Sequence, residues 1–126
     1  MTSKGSILVV DDDLHVRKVL RRFLEKMGFE VILAENGREA LELFRAKRPA
    51  LVLLDIVMPG MSGTEVLREM MKADPGARVL MLTAIQDEAI GKRCLLDGAR
   101  DYLCKPFELE DLKLSLTVNA FLSGGD

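Results

Sequence analysis

The sequence predicts a single α/β domain, a doubly wound parallel sheet of five strands with helices on both faces. Three observations predict it. The chain has 126 residues, one ordinary domain by length, and a chain of this size can remove roughly two-thirds of its unfolded surface from water. Short runs rich in Val, Ile and Leu alternate with longer stretches whose apolar residues recur at helical spacing. The first four helical stretches each lie between two strand runs, and such crossovers impose parallel pairing with helices over both faces.

The strand runs are Ile7–Val10, Glu30–Ala34, Leu51–Leu54, Arg78–Leu82 and Asp101–Cys104. Four are nearly all apolar, as strands covered on both sides should be. The second starts on Glu30, which suits a place nearest an edge. In the first helix Val16, Val19, Leu20, Phe23, Leu24 and Met27 form one stripe, stopped at Gly28. Asn36-Gly37 opens the second, with Ala40, Leu41 and Phe44 inward and Pro49 barring its continuation. Val66, Leu67, Met70 and Met71 mark the third, closed by Asp74-Pro75-Gly76. Ala89, Ile90 and Leu95 suggest a fourth, ending near Gly98. The fifth has a core stripe of Leu109, Leu112, Leu116 and Ala120, and a second apolar stripe of Leu114, Val118 and Phe121 nearly opposite. That second stripe either folds back onto the fourth helix or a chain end, or forms a partner surface.

Composition excludes several function classes. Apolar residues are 48% and charged residues 30%, which is globular and not disordered. A net charge of −2 leaves no electrostatic footprint for nucleic acid or anionic lipid. No apolar run approaches the roughly 20 residues of a membrane span, and Met1 to Ser6 has no signal-peptide hydrophobic segment. Cys94 and Cys104 make no disulfide framework and read as small buried hydrophobes, and His15, the lone histidine, reads as solvent-facing. A Cys/His metal centre or a histidine-based triad would have to use that one residue.

In open α/β sheets ligands gather outside the carboxyl ends of the strands. Those ends carry Asp11, Asp12 and Asp13 after the first run, Asp55 after the third, Thr83-Ala84 after the fourth and Lys105-Pro106 after the fifth. Crowded carboxylates repel and call for a cation. A hard divalent ion, Mg²⁺ above all, takes such oxygen ligands. With an ammonium on the other side, an arriving phosphoryl group meets positive charge twice, and Asp55 becomes a plausible nucleophile. Thr83 offers a hydroxyl to a phosphoryl oxygen. Asp13 reads as the cap of the first helix.

Four segments together are specific: Val9-Val10-Asp11-Asp12, Asp55-Ile56-Val57-Met58-Pro59-Gly60-Met61-Ser62-Gly63, Thr83-Ala84, and Gly98 to Phe107 with Asp101-Tyr102 and Lys105-Pro106 inside it. In order and spacing they resemble the response-regulator receiver domains of two-component signalling, over residues 5–122 of a 1–126 domain, with 123–126 a tail or the start of a linker. The resemblance implies the flavodoxin-like strand order 2-1-3-4-5. It implies Asp55 as phospho-acceptor, Asp11, Asp12, Asp55 and the backbone carbonyl of Val57 around Mg²⁺ or Mn²⁺, and Thr83 and Lys105 at the phosphoryl group. It implies Thr83 and Tyr102 as the switch pair and a cis Lys105-Pro106 bond. It further implies a cytoplasmic module that takes its phosphoryl group from a histidine kinase or phosphotransfer protein. Such a module catalyses its own phosphorylation and dephosphorylation without being a turnover enzyme. Its readout is the surface of the fourth helix, fifth strand and fifth helix, toward a second copy or an output domain, without direct contact to nucleic acid or membrane.

Two other classes compete. An aspartate-nucleophile phosphatase is expected to carry a second acid two residues after its nucleophile, where this chain has Val57. A degenerate scaffold would lack phosphorylation residues, and all are present.

Overall fold

Alternation of side chains along each strand divides the core into two layers. In the computed structural model, residues 5–124 are described, with side chains to residue 119. Strands β1 (Ser6–Val10), β2 (Glu30–Ala34), β3 (Leu51–Leu54), β4 (Val79–Thr83) and β5 (Asp101–Cys104) form one parallel sheet in the order β2-β1-β3-β4-β5. Helices α1 (Leu14–Lys26), α2 (Gly37–Lys47), α3 (Gly63–Ala73) and α4 (Glu88–Leu96) lie between successive strands, and α5 (Leu109–Gly124) follows β5.

Successive strand residues point to opposite faces. Ile7, Val9, Leu51, Leu53, Leu80 and Leu82 pack with Leu20 and Leu24 of α1 and Leu112 and Leu116 of α5. Leu8, Val10, Val52, Leu54, Val79 and Met81 pack on the other face with α2, α3 and Cys94 of α4. Glu30 does start an edge strand, and β5 is the opposite edge.

Side-chain caps fix where the helices begin. The Asp13 carboxylate accepts from the His15 and Val16 N–H groups at the head of α1. Asn36, Ser62 and Asp87 do the same for α2, α3 and α4. Each satisfies donors that a helix terminus leaves without partners.

The structure moves several expected boundaries and faces. β4 runs Val79–Thr83, one residue later than expected, because Thr83 pairs with Cys104 across the β4–β5 ladder. In α1, Val19 is exposed and Arg17 is buried in its place. In α4 the buried residues are Gly91 and Cys94, while Ala89 and Leu95 face outward. Gly91 is the residue that lies against the Tyr102 ring. Cys104 is half-buried. In α5, Leu112 and Leu116 are core, but Leu109 is exposed, as are Leu114 and Val118 of the second stripe. The side chains of Ala120 and Phe121, and residues 125–126 of the expected tail, lie outside the described residues.

Candidate functional site at the carboxyl edge

The sheet register brings the acids together. Val10 is level with both Ala34 and Leu54. One residue further, the Asp11 N–H donates to the Ala34 carbonyl (3.1 Å) and the Asp55 N–H to the Val10 carbonyl (3.0 Å). Asp11 and Asp55 therefore leave adjacent strands side by side. Asp12 follows on the β1–α1 turn. Among the described residues, carboxylate oxygens of Asp11, Asp12 and Asp55 lie within 4.8 Å of one another. Asp11 and Asp55 are buried and Asp12 is exposed.

Lys105 enters from the end of β5. Its Nζ donates to Asp11 Oδ2 at 2.5 Å and to Asp55 Oδ2 at 3.3 Å. The Lys105-Pro106 bond is cis, as expected. Burial would lower the Lys105 ammonium, but its hydrogen bond to Asp11 and the charges of Asp11 and Asp55 outweigh this and hold it above its ordinary value. Burial pushes the Asp11 carboxyl up, against the opposing pull of Lys105 and of the Asp13 N–H. The pair favours both charged forms, but for Asp11 the cost of burial outweighs it. One ammonium among three carboxylates leaves an excess of negative charge facing an open edge. Three hard oxygen donors in one cluster fit a divalent cation such as Mg²⁺.

The loop after Asp55 curls back around it. The Val57 N–H donates to Asp55 Oδ1 at 3.4 Å, and the Gly63 N–H donates to the Ile56 carbonyl at 2.8 Å. A Cβ on Gly63 would stand 2.0 Å from the Asp55 carbonyl oxygen. Only glycine lets the start of α3 close on this loop, which is the physical reason for Gly63 in the Asp55–Gly63 segment. Met58 is buried and anchors the loop in the core, whereas Val57 is exposed.

Thr83, fully buried, ends β4 beside β3. Its hydroxyl accepts from the Ile85 N–H (3.4 Å), and the Ile85 carbonyl accepts from the Tyr102 hydroxyl (2.8 Å). Two hydrogen bonds through one residue thus join Thr83 to Tyr102. Burial, with further electrostatic effects of Cys104, Cys94 and nearby acids, pushes the Tyr102 phenol up to about 12.

A profile of the response regulator receiver domain matches residues 7–117. The chain belongs to the response regulator receiver family. Receiver domains are signalling domains of two-component response regulators, generally not turnover enzymes, and phosphorylation at an aspartate is their general function. They bind Mg²⁺ at the acidic pocket. This receiver domain is 49% identical over 107 residues to the response regulator MprA of Mycolicibacterium vanbaalenii, covering 84% of the chain and 46% of MprA. It thus spans about half the length of that relative. It is 38% identical over 103 residues to the chemotaxis protein CheY of Thermotoga maritima, covering 81% of the chain and 86% of that protein. Among solved structures it resembles the CheX–CheY–BeF3–Mg²⁺ complex of Borrelia burgdorferi, with a TM-score of 0.87, 32% identity, and coverage of 90% of this chain and 87% of that one. Among the described residues, no helix of the receiver domain is long and apolar enough to cross a membrane.

Sequence reasoning missed Arg17. Its Nη1 donates to the Asp11 main-chain carbonyl at 2.6 Å, and its Nη2 pairs with Glu35 at 3.7 Å. The signal was present: Arg17 stands on the same helical face as Leu20 and Leu24, a charged residue within a core stripe. The role of the Ile85 carbonyl was also missed, since a backbone acceptor leaves no mark in the sequence.

Proposed function

We propose that Asp55 is the phospho-acceptor of this receiver domain, with a histidine kinase or phosphotransfer protein as donor. The observation that carries the reading is the cluster itself: a buried carboxylate flanked by two others and by an ammonium hydrogen-bonded to it. An Asp55 oxygen attacks phosphorus, a P–O bond forms, and the P–N bond to the donor histidine breaks with its electron pair passing to the imidazole nitrogen. A bound Mg²⁺ or Mn²⁺, held by Asp11, Asp12, Asp55 and the Val57 carbonyl, would neutralise phosphoryl charge. Lys105 meets another phosphoryl oxygen with its ammonium, and its contact with Asp55 keeps the ammonium beside the reacting carboxylate. Thr83 donates its hydroxyl once that oxygen acceptor arrives. The same residues serve self-catalysed loss of the phosphoryl group to water, so the module resets without becoming a turnover enzyme.

The readout on this reading is the face of α4, β5 and α5. Support comes from the Thr83–Ile85–Tyr102 hydrogen bonds and from the exposed Leu95 and Leu96 of α4 and Leu114 and Val118 of α5. That apolar surface suits a second copy or an output domain better than nucleic acid or membrane, and a cytoplasmic location goes with the donor. Incubation with acetyl phosphate and Mg²⁺ tests the proposal. Stable mass gain mapped to Asp55 is the expected result. Modification at Asp11, Asp12 or His15 defeats the assignment, continuous phosphate release with no modified Asp55 favours a phosphatase, and no reaction favours a scaffold.

A further inference from the structure

Arg17 sits where three elements meet behind the acidic cluster. Its backbone N–H donates to the Asp13 carbonyl in the first turn of α1 (3.0 Å). Its guanidinium turns back to the end of β1, donating to the Asp11 carbonyl (2.6 Å), and to Glu35 just after β2 (3.7 Å). The side chain is only 10% exposed. A buried guanidinium is costly without partners, and a leucine here would continue the core stripe at no such cost.

The three acids are held differently. The Asp11 carboxylate accepts from Lys105 and from the Asp13 N–H. Asp55 accepts from Lys105 and the Val57 N–H. Asp12 is exposed, and among the described residues its carboxylate has no hydrogen bond or ion pair. Its aim is set by the backbone that carries it, and the carbonyl of the peptide joining Asp11 to Asp12 is the group that Arg17 grips.

We propose that Arg17 is a positioning residue for the cation site: by fixing the Asp11–Asp12 peptide it keeps the Asp12 carboxylate turned into the cluster. The inference rests on the reading of Asp11, Asp12 and Asp55 as the Mg²⁺ site. Charge and position make opposite predictions. A guanidinium near a cation repels it, so an effect of charge alone would make removal of Arg17 tighten Mg²⁺ binding. Positioning makes removal weaken it.

Calorimetric titration of Mg²⁺ into the whole chain decides the sign. Arg17→Met should bind Mg²⁺ on the order of 10-fold more weakly, the usual scale for groups that hold metal ligands in place. Arg17→Lys, which keeps the charge but cannot span both partners, should fall between it and the natural protein. In an Asp12→Ala background, Arg17→Met should add little further loss. The rise in Tm produced by Mg²⁺ should shrink in the same order, whereas a merely structural role would lower Tm and leave that rise unchanged. Binding by either Arg17 variant at least as tight as in the natural protein overturns the proposal. If the Met variant does not fold, the Lys variant decides by the same criterion. If the natural protein binds no Mg²⁺, or Asp12→Ala binds it equally well, the reading of the cluster fails instead.

Discussion

β3 and β5 stand two places apart in one sheet and are packed to different degrees. Leu51, Val52, Leu53 and Leu54 of β3 are each at most 1% exposed, while all four residues of β5 are half-buried. The elements around them follow suit. α3 buries Val66, Leu67 and Met70 against the sheet beside Asp55. α4 buries only Gly91 and Cys94, and leaves Leu96 77% exposed. The acid end of the sheet is thus fixed from several sides, and the far edge is held by fewer contacts. On the proposed reading, such an arrangement puts bond-making chemistry on the more firmly packed part of the fold and response on the less firmly packed part.

The largest expected effect tests whether chemistry belongs to the β3 side. Asp55→Asn should abolish labelling by acetyl phosphate while leaving amide spectra of α4, β5 and α5 near those of the unmodified protein. Residual labelling at another aspartate would break the assignment. The next effect tests the packing contrast itself. Leu54→Ala removes a fully buried side chain and should cost about 2–5 kcal/mol in denaturant unfolding. Leu114→Ala, at a position 65% exposed, should change stability by no more than about 0.5 kcal/mol. Comparable losses at the two positions would erase the distinction between the two regions.

The same contrast governs what could be read from the sequence. Along β1 and β3 the strand and cap signals agree: apolar runs, then acids, then capped helices, with Gly63 required by a backbone contact. The boundaries of β2, β3 and β5, the strand order and the gathering of Asp11, Asp12, Asp55 and Lys105 were all legible. Errors collect where burial is partial. In α4 the apolar residues do not recur at a clean helical period: Ala89 and Leu95, which mark the helix in the sequence, face outward, and Gly91 was overlooked. Periodicity puts Leu109 in the α5 stripe, yet at the first position of the helix it is exposed. Arg17 was overlooked for a different reason. A pattern that scores apolar residues has no place for a cation buried by hydrogen bonds to a main-chain carbonyl.

A smaller effect asks how the two regions communicate. On the proposed reading, phosphoryl oxygens draw the Thr83 hydroxyl, which now accepts from the Ile85 N–H, and the disturbance passes through Ile85 to Tyr102. Thr83→Ala removes the hydroxyl but none of the carboxylates or Lys105. It should therefore still accept phosphate, with shift changes on phosphorylation at Gly91 and Tyr102 reduced to a fraction of those in the natural protein. Full-sized changes in that variant would mean that the two regions are coupled by another route.

The smallest effect concerns how firmly the α4–β5 edge holds Tyr102. Tyr102 is the only tyrosine of the chain, so tyrosinate absorbance reports it without ambiguity. In the folded protein its phenol is pushed up to about 12, against ~10 in an unfolded chain. Above pH ~10 the unfolded chain gives up this proton while the folded chain keeps it, and the deprotonated form draws the equilibrium toward unfolding. The contribution of Tyr102 is therefore fully present below pH ~10 and is lost as pH rises toward about 12. Lysines titrate in the same range, so the measurement is the difference between the natural protein and Tyr102→Phe. Their stabilities should differ at neutral pH by about 1 kcal/mol, the usual worth of one hydrogen bond, here that to the Ile85 carbonyl. The difference should shrink, and can reverse, as the alkaline limb is climbed. A phenol that ionises near ~10 in the folded protein would show that the ring is not held against Gly91 and Ile85. The α4–β5 edge would then be looser than its hydrogen bonds indicate, and the contrast with β3 sharper.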